Sequence, residues 1–198
     1  MRKFLMVLAL AIGLLFLGIQ PAEAQLGGLL KKAKKAISDV TAVAGGAEVG
    51  VAAVTLPGGG TMQNPVASVA DVQLVGVFGK STSTNYGEVY LVLKVKMIAN
   101  KTNISIGGNS GLPPIMIDQA GNSYKMPLGW YDYDVVEGVY VTLVLNEHAT
   151  FKDVRKSAVV LQQVRIGISV DSDNRGLLTF KNVPVLWDVD PETVLQAQ

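Results

Sequence analysis

Between Glu88 and Asn100 the chain reads EVYLVLKVKMIAN, and its side chains alternate in character. Val89, Leu91, Leu93, Val95 and Met97 fall at every second position, with Tyr90, Val92, Lys94, Lys96 and Ile98 between them. A period of two over this length marks an extended strand with one buried face; a helix would scatter the same residues around its axis. Lys94 and Lys96 mark the face turned to water. A strand this long needs neighbours that bury a face against the same core.

The flanking sequence supplies them. Val72, Leu74 and Phe78 read as one face of a preceding strand, with Gly76 among them. Residues 103–106 form a brief candidate. Residues 114–118 and 122–126 flank Gln119-Ala120-Gly121, a hairpin connection with the glycine such turns favour. Val139, Val141, Leu143 and Leu145 alternate again, as do Val164, Ile166, Ile168 and Val170. A last strand spans 177–186 after the turn residues DSDNRG, and Pro184 suits an edge or a strand end because it cannot donate to a ladder. Seven to eight short strands with polar turns predict an all-β fold. The expected architecture is an antiparallel immunoglobulin-like β-sandwich over residues 69–188, with a tail over 189–198. An up-and-down barrel is the competing arrangement, and the unequal strand lengths favour the sandwich.

The chain contains no cysteine. Disulfides, cysteine-type structural zinc and the acylated cysteine of a lipoprotein are therefore excluded. Stability must come from core burial. Arg2 and Lys3 precede an apolar run over 4–19, Pro21 breaks it, and Ala22-Glu23-Ala24 offers small residues for a signal peptidase, so residues 1–24 are read as a signal peptide. The run is shorter than the ~20 residues of a spanning helix, which makes a retained anchor the lesser reading. The expected location is the periplasm, the outer envelope or the medium. Removing Arg2, Lys3 and Glu23 from 17 basic and 16 acidic residues leaves 15 of each. A neutral chain lacks the concentrated positive charge with which nucleic-acid binders displace counterions, so nucleic acid is not an expected partner.

Residues 25–44 contain LGGLLKKAKKAISDV, in which Leu26, Leu30, Ala33, Ile37 and Val40 recur at helical spacing. Lys31, Lys32, Lys34 and Lys35 crowd the remaining surface. This predicts a basic amphipathic helix outside the core. It has two readings: docking on the sandwich or on a second copy, and weak adsorption to anionic lipid. Its stripe holds no Trp or Phe, which favours docking. Residues 45–68 are small and glycine-rich, and read as a linker or arm. A first strand over 49–56 is the alternative.

The long strand ending VKMIANKTN, the stretch IDQAGNSYKM, the strand VLQQVRIGISV and the closing LLTFKNVPVLW together resemble the secreted immunoglobulin-like domains of unknown function found in bacterial envelopes. In that family a strand ending in asparagine precedes a hairpin with an Asp-x-x-Gly-Asn-x-Tyr pattern. Asn100 and Asp118, Gly121, Asn122 and Tyr124 stand in those places. The resemblance implies an extracytoplasmic, non-enzymatic module with no catalytic residues to transfer.

The residues with chemistry are few. His148 is the single histidine, and no G-x-S-x-G elbow accompanies it. Asp132, Asp134 and Glu137 could serve glycoside hydrolysis only in a deep cleft, so solvated charges are the better reading. Asp171-Ser172-Asp173-Asn174-Arg175-Gly176 resembles a calcium loop, but Arg175 and Asn182 stand where an EF-hand needs ligands, and a polar hairpin turn explains the stretch. No catalytic residue, metal or cofactor is expected. The strongest binding candidate is GWYDYD: Trp130, Tyr131, Asp132, Tyr133 and Asp134, read as an aromatic and acidic loop able to recognise an envelope protein or a glycan. The competing reading has Trp130 covering the end of the sandwich while Tyr131 and Tyr133 alternate along a strand edge.

Overall fold

The computed structural model describes residues 53–196. The proposed signal peptide, the amphipathic helix with Leu26, Leu30, Lys31, Lys32, Lys34, Lys35, Ile37 and Val40, and the first part of the glycine-rich arm lie outside the described residues.

Twelve strands and one short helix make up the described part. They are β1 (Val54–Thr55), β2 (Thr61–Gln63), β3 (Ala70–Ser81), β4 (Tyr86–Met97), β5 (Asn103–Gly108), β6 (Ile115–Asp118), β7 (Ser123–Lys125), β8 (Gly129–Asp134), β9 (Val141–Val144), β10 (Phe151–Arg155), β11 (Val160–Ser169), β12 (Arg175–Trp187) and α1 (Pro191–Leu195). The protein is all-β, as the alternation requires. It has more strands than the seven to eight read from the sequence, because β1, β2, β8 and β10 are short or lack strict alternation. The order along the main path is β10-β4-β3-β12-β11-β5-β8, with β1–β2, β6–β7 and β9 attached to it.

Strand β12 holds the arrangement together. Its first part runs antiparallel to β11 and to β2, with Thr179 opposite Gln63 and Lys181 opposite Thr61. Its last three residues, Val185 to Trp187, run parallel to Val77, Phe78 and Gly79 of β3. The purely antiparallel expectation is therefore corrected to a mixed sheet. Pro184 sits at the changeover, after β2 ends and before β3 begins. The N–H of Val185 goes to Val159 on the β11 side, so the N–H that Pro184 lacks would have pointed into the gap. Asn182, at φ 53°, bends the strand just before it.

Alternate residues of the strands meet in one apolar core. Val89, Leu91, Leu93, Val95 and Met97 from β4 pack in the same cluster as Ile104 and Ile106 from β5, Val164, Ile166 and Ile168 from β11, and Leu178 and Phe180 from β12. Each such side chain contributes about 1.5–3 kcal/mol by burial, which is how a chain without disulfides holds its fold.

The β3 reading needs one correction. The pairing of β3 with β4 shifts between Leu74 and Gly76, so Val75 is an extra residue with no partner. One inserted residue turns every later side chain to the opposite face. Val72 and Val77 therefore face the main core, whereas Phe78 faces outward with Val75, Val92 and Leu186. This outer cluster is not left in water: Val189, Val194 and Leu195 pack on it. The tail over 189–198 thus includes a helix that caps the outer face. Asp190 accepts a hydrogen bond from the Glu192 N–H at 3.0 Å and Pro191 opens the first turn, a normal N-terminal cap.

The segment 54–63, read as part of a linker, is a hairpin paired with β12; Pro57 and the three glycines form its turn. Trp187 lies flat over two glycines of neighbouring strands. A Cβ on Gly79 would overlap the indole, and one on Gly87 would lie 2.6 Å from it. The indole N–H of Trp187 donates to the Ala158 carbonyl at 2.9 Å. We expect Trp187→Phe to lose about 1 kcal/mol, the net worth of that bond, in chemical denaturation. An unchanged midpoint would show that the indole N–H contributes nothing.

Candidate functional site

Residues 129–134 are not a loop. They form β8, which pairs with β5 along its whole length, from Gly108 opposite Gly129 to Asn103 opposite Asp134, without a break in register. Strand geometry then divides the candidate residues between two faces. Trp130, Asp132 and Asp134 share the outer face, and Tyr131 and Tyr133 share the inner one.

On the outer face, glycines clear a floor for Trp130. Gly107 stands opposite Trp130 on β5 and Gly167 stands opposite Gly107 on β11. A Cβ on Gly167 would lie 2.8 Å from the Trp130 ring. A side chain at Gly167 would press on the indole, whereas one at Gly107 would meet the backbone of β8 at Gly129 and Trp130. Beside it, Ser105 donates from its hydroxyl to Asp132 Oδ1 at 2.5 Å. Asp132 and Asp134 are exposed, and neither is in an ion pair among the described residues.

On the inner face, Tyr133 packs against the main core. Its hydroxyl pKa is raised, first by burial and then by the charges of Glu147 and Tyr131. Tyr131 stacks on His148, the ring centroids 4.9 Å apart and the planes 13° from parallel. Glu147 lies 3.9 Å from the same imidazole. His148, the single histidine, therefore joins the Tyr131 surface. No sequence signal links residues so far apart, because β8 and the turn before β10 meet only through the fold. The other missed participants left a faint trace: Gly107 and Gly167 interrupt strands, and an interior glycine marks a close approach.

The remaining sequence candidates resolve into structural parts. Asp118, nearly fully buried, accepts the N–H groups of Ala120 and Asn122 at one oxygen, and the Asn122 amide and Tyr124 hydroxyl at the other, all within 2.8–2.9 Å. The Asp-x-x-Gly-Asn-x-Tyr pattern is thus a carboxylate-centred hairpin lock. Burial pushes the Asp118 pKa up, but the hydrogen bonds from Asn122, Tyr124 and Ala120 outweigh it and the net direction is down. Asp171 is similarly occupied. Its carboxylate accepts the Asn174 side-chain amide and the N–H groups of Asn174 and Asp173, and Lys101 stands 3.4 Å away, which holds its pKa at about 2. Among the described residues there is no group of three or more His, Asp or Glu side chains placed to hold a metal ion. The displaced carboxylates Asp118, Asp171 and Asp188 all move down, which fits hydrogen-bonded anions and not a proton-donating acid.

One shallow cleft of about 270 Å³ opens between the β3–β4 turn and the end of β10, lined by Thr84, Asn85, Tyr86, Arg155, Lys156 and Ser157. Lys156 is already committed there to Asp188 at 3.3 Å. No family model, no curated protein and no solved structure matches the chain.

Proposed function

We propose that this chain is an exported, non-enzymatic binding module of the bacterial cell envelope. In this reading it is an immunoglobulin-like β-sandwich that recognises a protein or a glycan through β8. The observation that carries it is the outer face of that strand. There a flat, partly buried indole on a glycine floor stands beside two exposed carboxylates that no cation of the described fold neutralises. A tryptophan used only as filling would be fully covered, whereas Trp130 stays partly exposed. An aromatic plane flanked by hydrogen-bond acceptors is, by contrast, a standard recognition surface.

The test is cross-linking in the native envelope, comparing the wild type with Trp130→Ala and with Asp132→Asn/Asp134→Asn. Capture of one discrete component should fall about tenfold in either variant, the worth of one charge-assisted bond or a stacked aromatic. The carboxamide variant should keep its melting temperature. Capture that survives both variants but disappears with residues 25–44 would overturn the proposal. It would assign recognition to the predicted basic helix instead.

A further inference from the structure

We propose that the second edge of β8 takes up an extended basic peptide as an added strand. This rests on the reading of β8 as the binding face and names its partner. The strand lies at the end of the pairing order, its first edge used by β5, and no backbone group of the described fold bonds to its other edge. Exposed edges are ordinarily blunted by a bulge, a proline, a lysine or an inward-pointing charge. β8 has none of these: GWYDYD contains neither proline nor lysine, its register with β5 is unbroken, and its charges point outward. Such an edge offers a row of N–H and C=O groups to an incoming strand.

The side chains decide what can bind there. A second copy pairing about a two-fold axis has two registers that use five of the six residues, one centred on Tyr131 and one on Asp132. In the first, Asp132 faces Trp130 of the other copy and the two Asp132 side chains are diagonal neighbours. In the second they are directly opposite. Like charges directly opposite destabilise a pair and diagonal ones repel more weakly through water, so the acidic residues act against self-pairing while leaving the edge open. They favour a strand with Lys or Arg at alternate positions. Two such residues would meet Asp132 and Asp134, and a third side chain on that face would lie against the Trp130 ring. Backbone bonding gives the affinity and the alternate cations give the selectivity.

The probe is a short peptide alternating lysine and threonine, titrated into the purified protein at low salt. Its controls are a glutamate–threonine counterpart and two versions N-methylated on one or the other set of alternate backbone nitrogens. Only one edge of the peptide faces β8, so one N-methyl frame should bind about tenfold or more weakly, having lost several backbone bonds, while the other binds normally. The glutamate peptide should not bind, and Asp132→Asn/Asp134→Asn should weaken the lysine peptide about tenfold. Amide exchange should slow within β8 when the peptide is bound. Equal binding by both N-methyl frames would reduce the interaction to loose charge attraction and overturn the inference. If no peptide binds but Asp132→Asn/Asp134→Asn still loses envelope capture, this inference falls and the binding-face reading stands. If neither experiment responds to β8, both fall.

Discussion

Gly107→Ala should destabilise the protein by about 3 kcal/mol, combining backbone strain with overpacking. Gly107 has φ 149°, in a region that side chains rarely adopt. An added Cβ would overlap the Gly129 carbonyl oxygen and lie 3.0 Å from its carbonyl carbon. Both atoms are backbone, so no rotamer change can relieve the overlap; β8 itself must move away from β5. For a domain of this size the melting temperature should fall by roughly 10 °C. Gly121→Ala is the matched control: its φ is also positive, at 83°, but nothing lies within 4 Å of the added methyl. It should therefore show strain alone, about 1–2 kcal/mol. The protein has only two tryptophans, and Gly107→Ala should shift the emission of Trp130 to the red while Trp187 is unaffected. Equal losses at the two glycines would remove the argument that Gly107 exists to admit β8.

This glycine also shows what could be read from the sequence and what could not. The strong alternation from Val89 to Met97 located β4 and its buried face, because side-chain period is a local property of the backbone. Similar alternation located β11, and the hairpin glycine placed β6 and β7. The face of Phe78 was not legible. A bulge is set by how two strands register against each other, and Val75 looks like any other apolar residue until β4 is laid beside it. For a related reason the sequence of β8 supports a loop as readily as the strand edge that the structure shows. Its alternation is aromatic against acidic, a pattern of a strand lying at an edge with neither face fully buried. Asp132 and Asp134 made it look like a solvated connection. The pairing of Tyr131 with His148 depends on the path of the whole chain, and nothing within either segment announces it.

The Asp-x-x-Gly-Asn-x-Tyr hairpin was visible as a pattern, and its physical role makes the second prediction. Asp118→Asn should lose about 2–3 kcal/mol at neutral pH, the cost of leaving buried donors unsatisfied. The carboxylate accepts four hydrogen bonds, two at each oxygen. An asparagine keeps one acceptor oxygen for the Ala120 and Asn122 N–H groups. Its NH₂ would then face the Asn122 amide and the Tyr124 hydroxyl, two donors that the carboxylate satisfied. The pH dependence separates this from a simple packing defect. The folded pKa of Asp118 lies below its ordinary value, so the stability that the carboxylate contributes is complete above the unfolded pKa of about 3.9 and is lost as pH falls through the folded value. Asp171 and Asp188 add their own acid-side losses, but they are common to both proteins and cancel in the comparison. Denaturation of the wild type and Asp118→Asn at pH 7 and near pH 2.5 should therefore show a wide gap that narrows in acid. A gap of the same size at both pH values would mean that the carboxylate is not the acceptor that locks the turn, and that the substitution acts through shape alone.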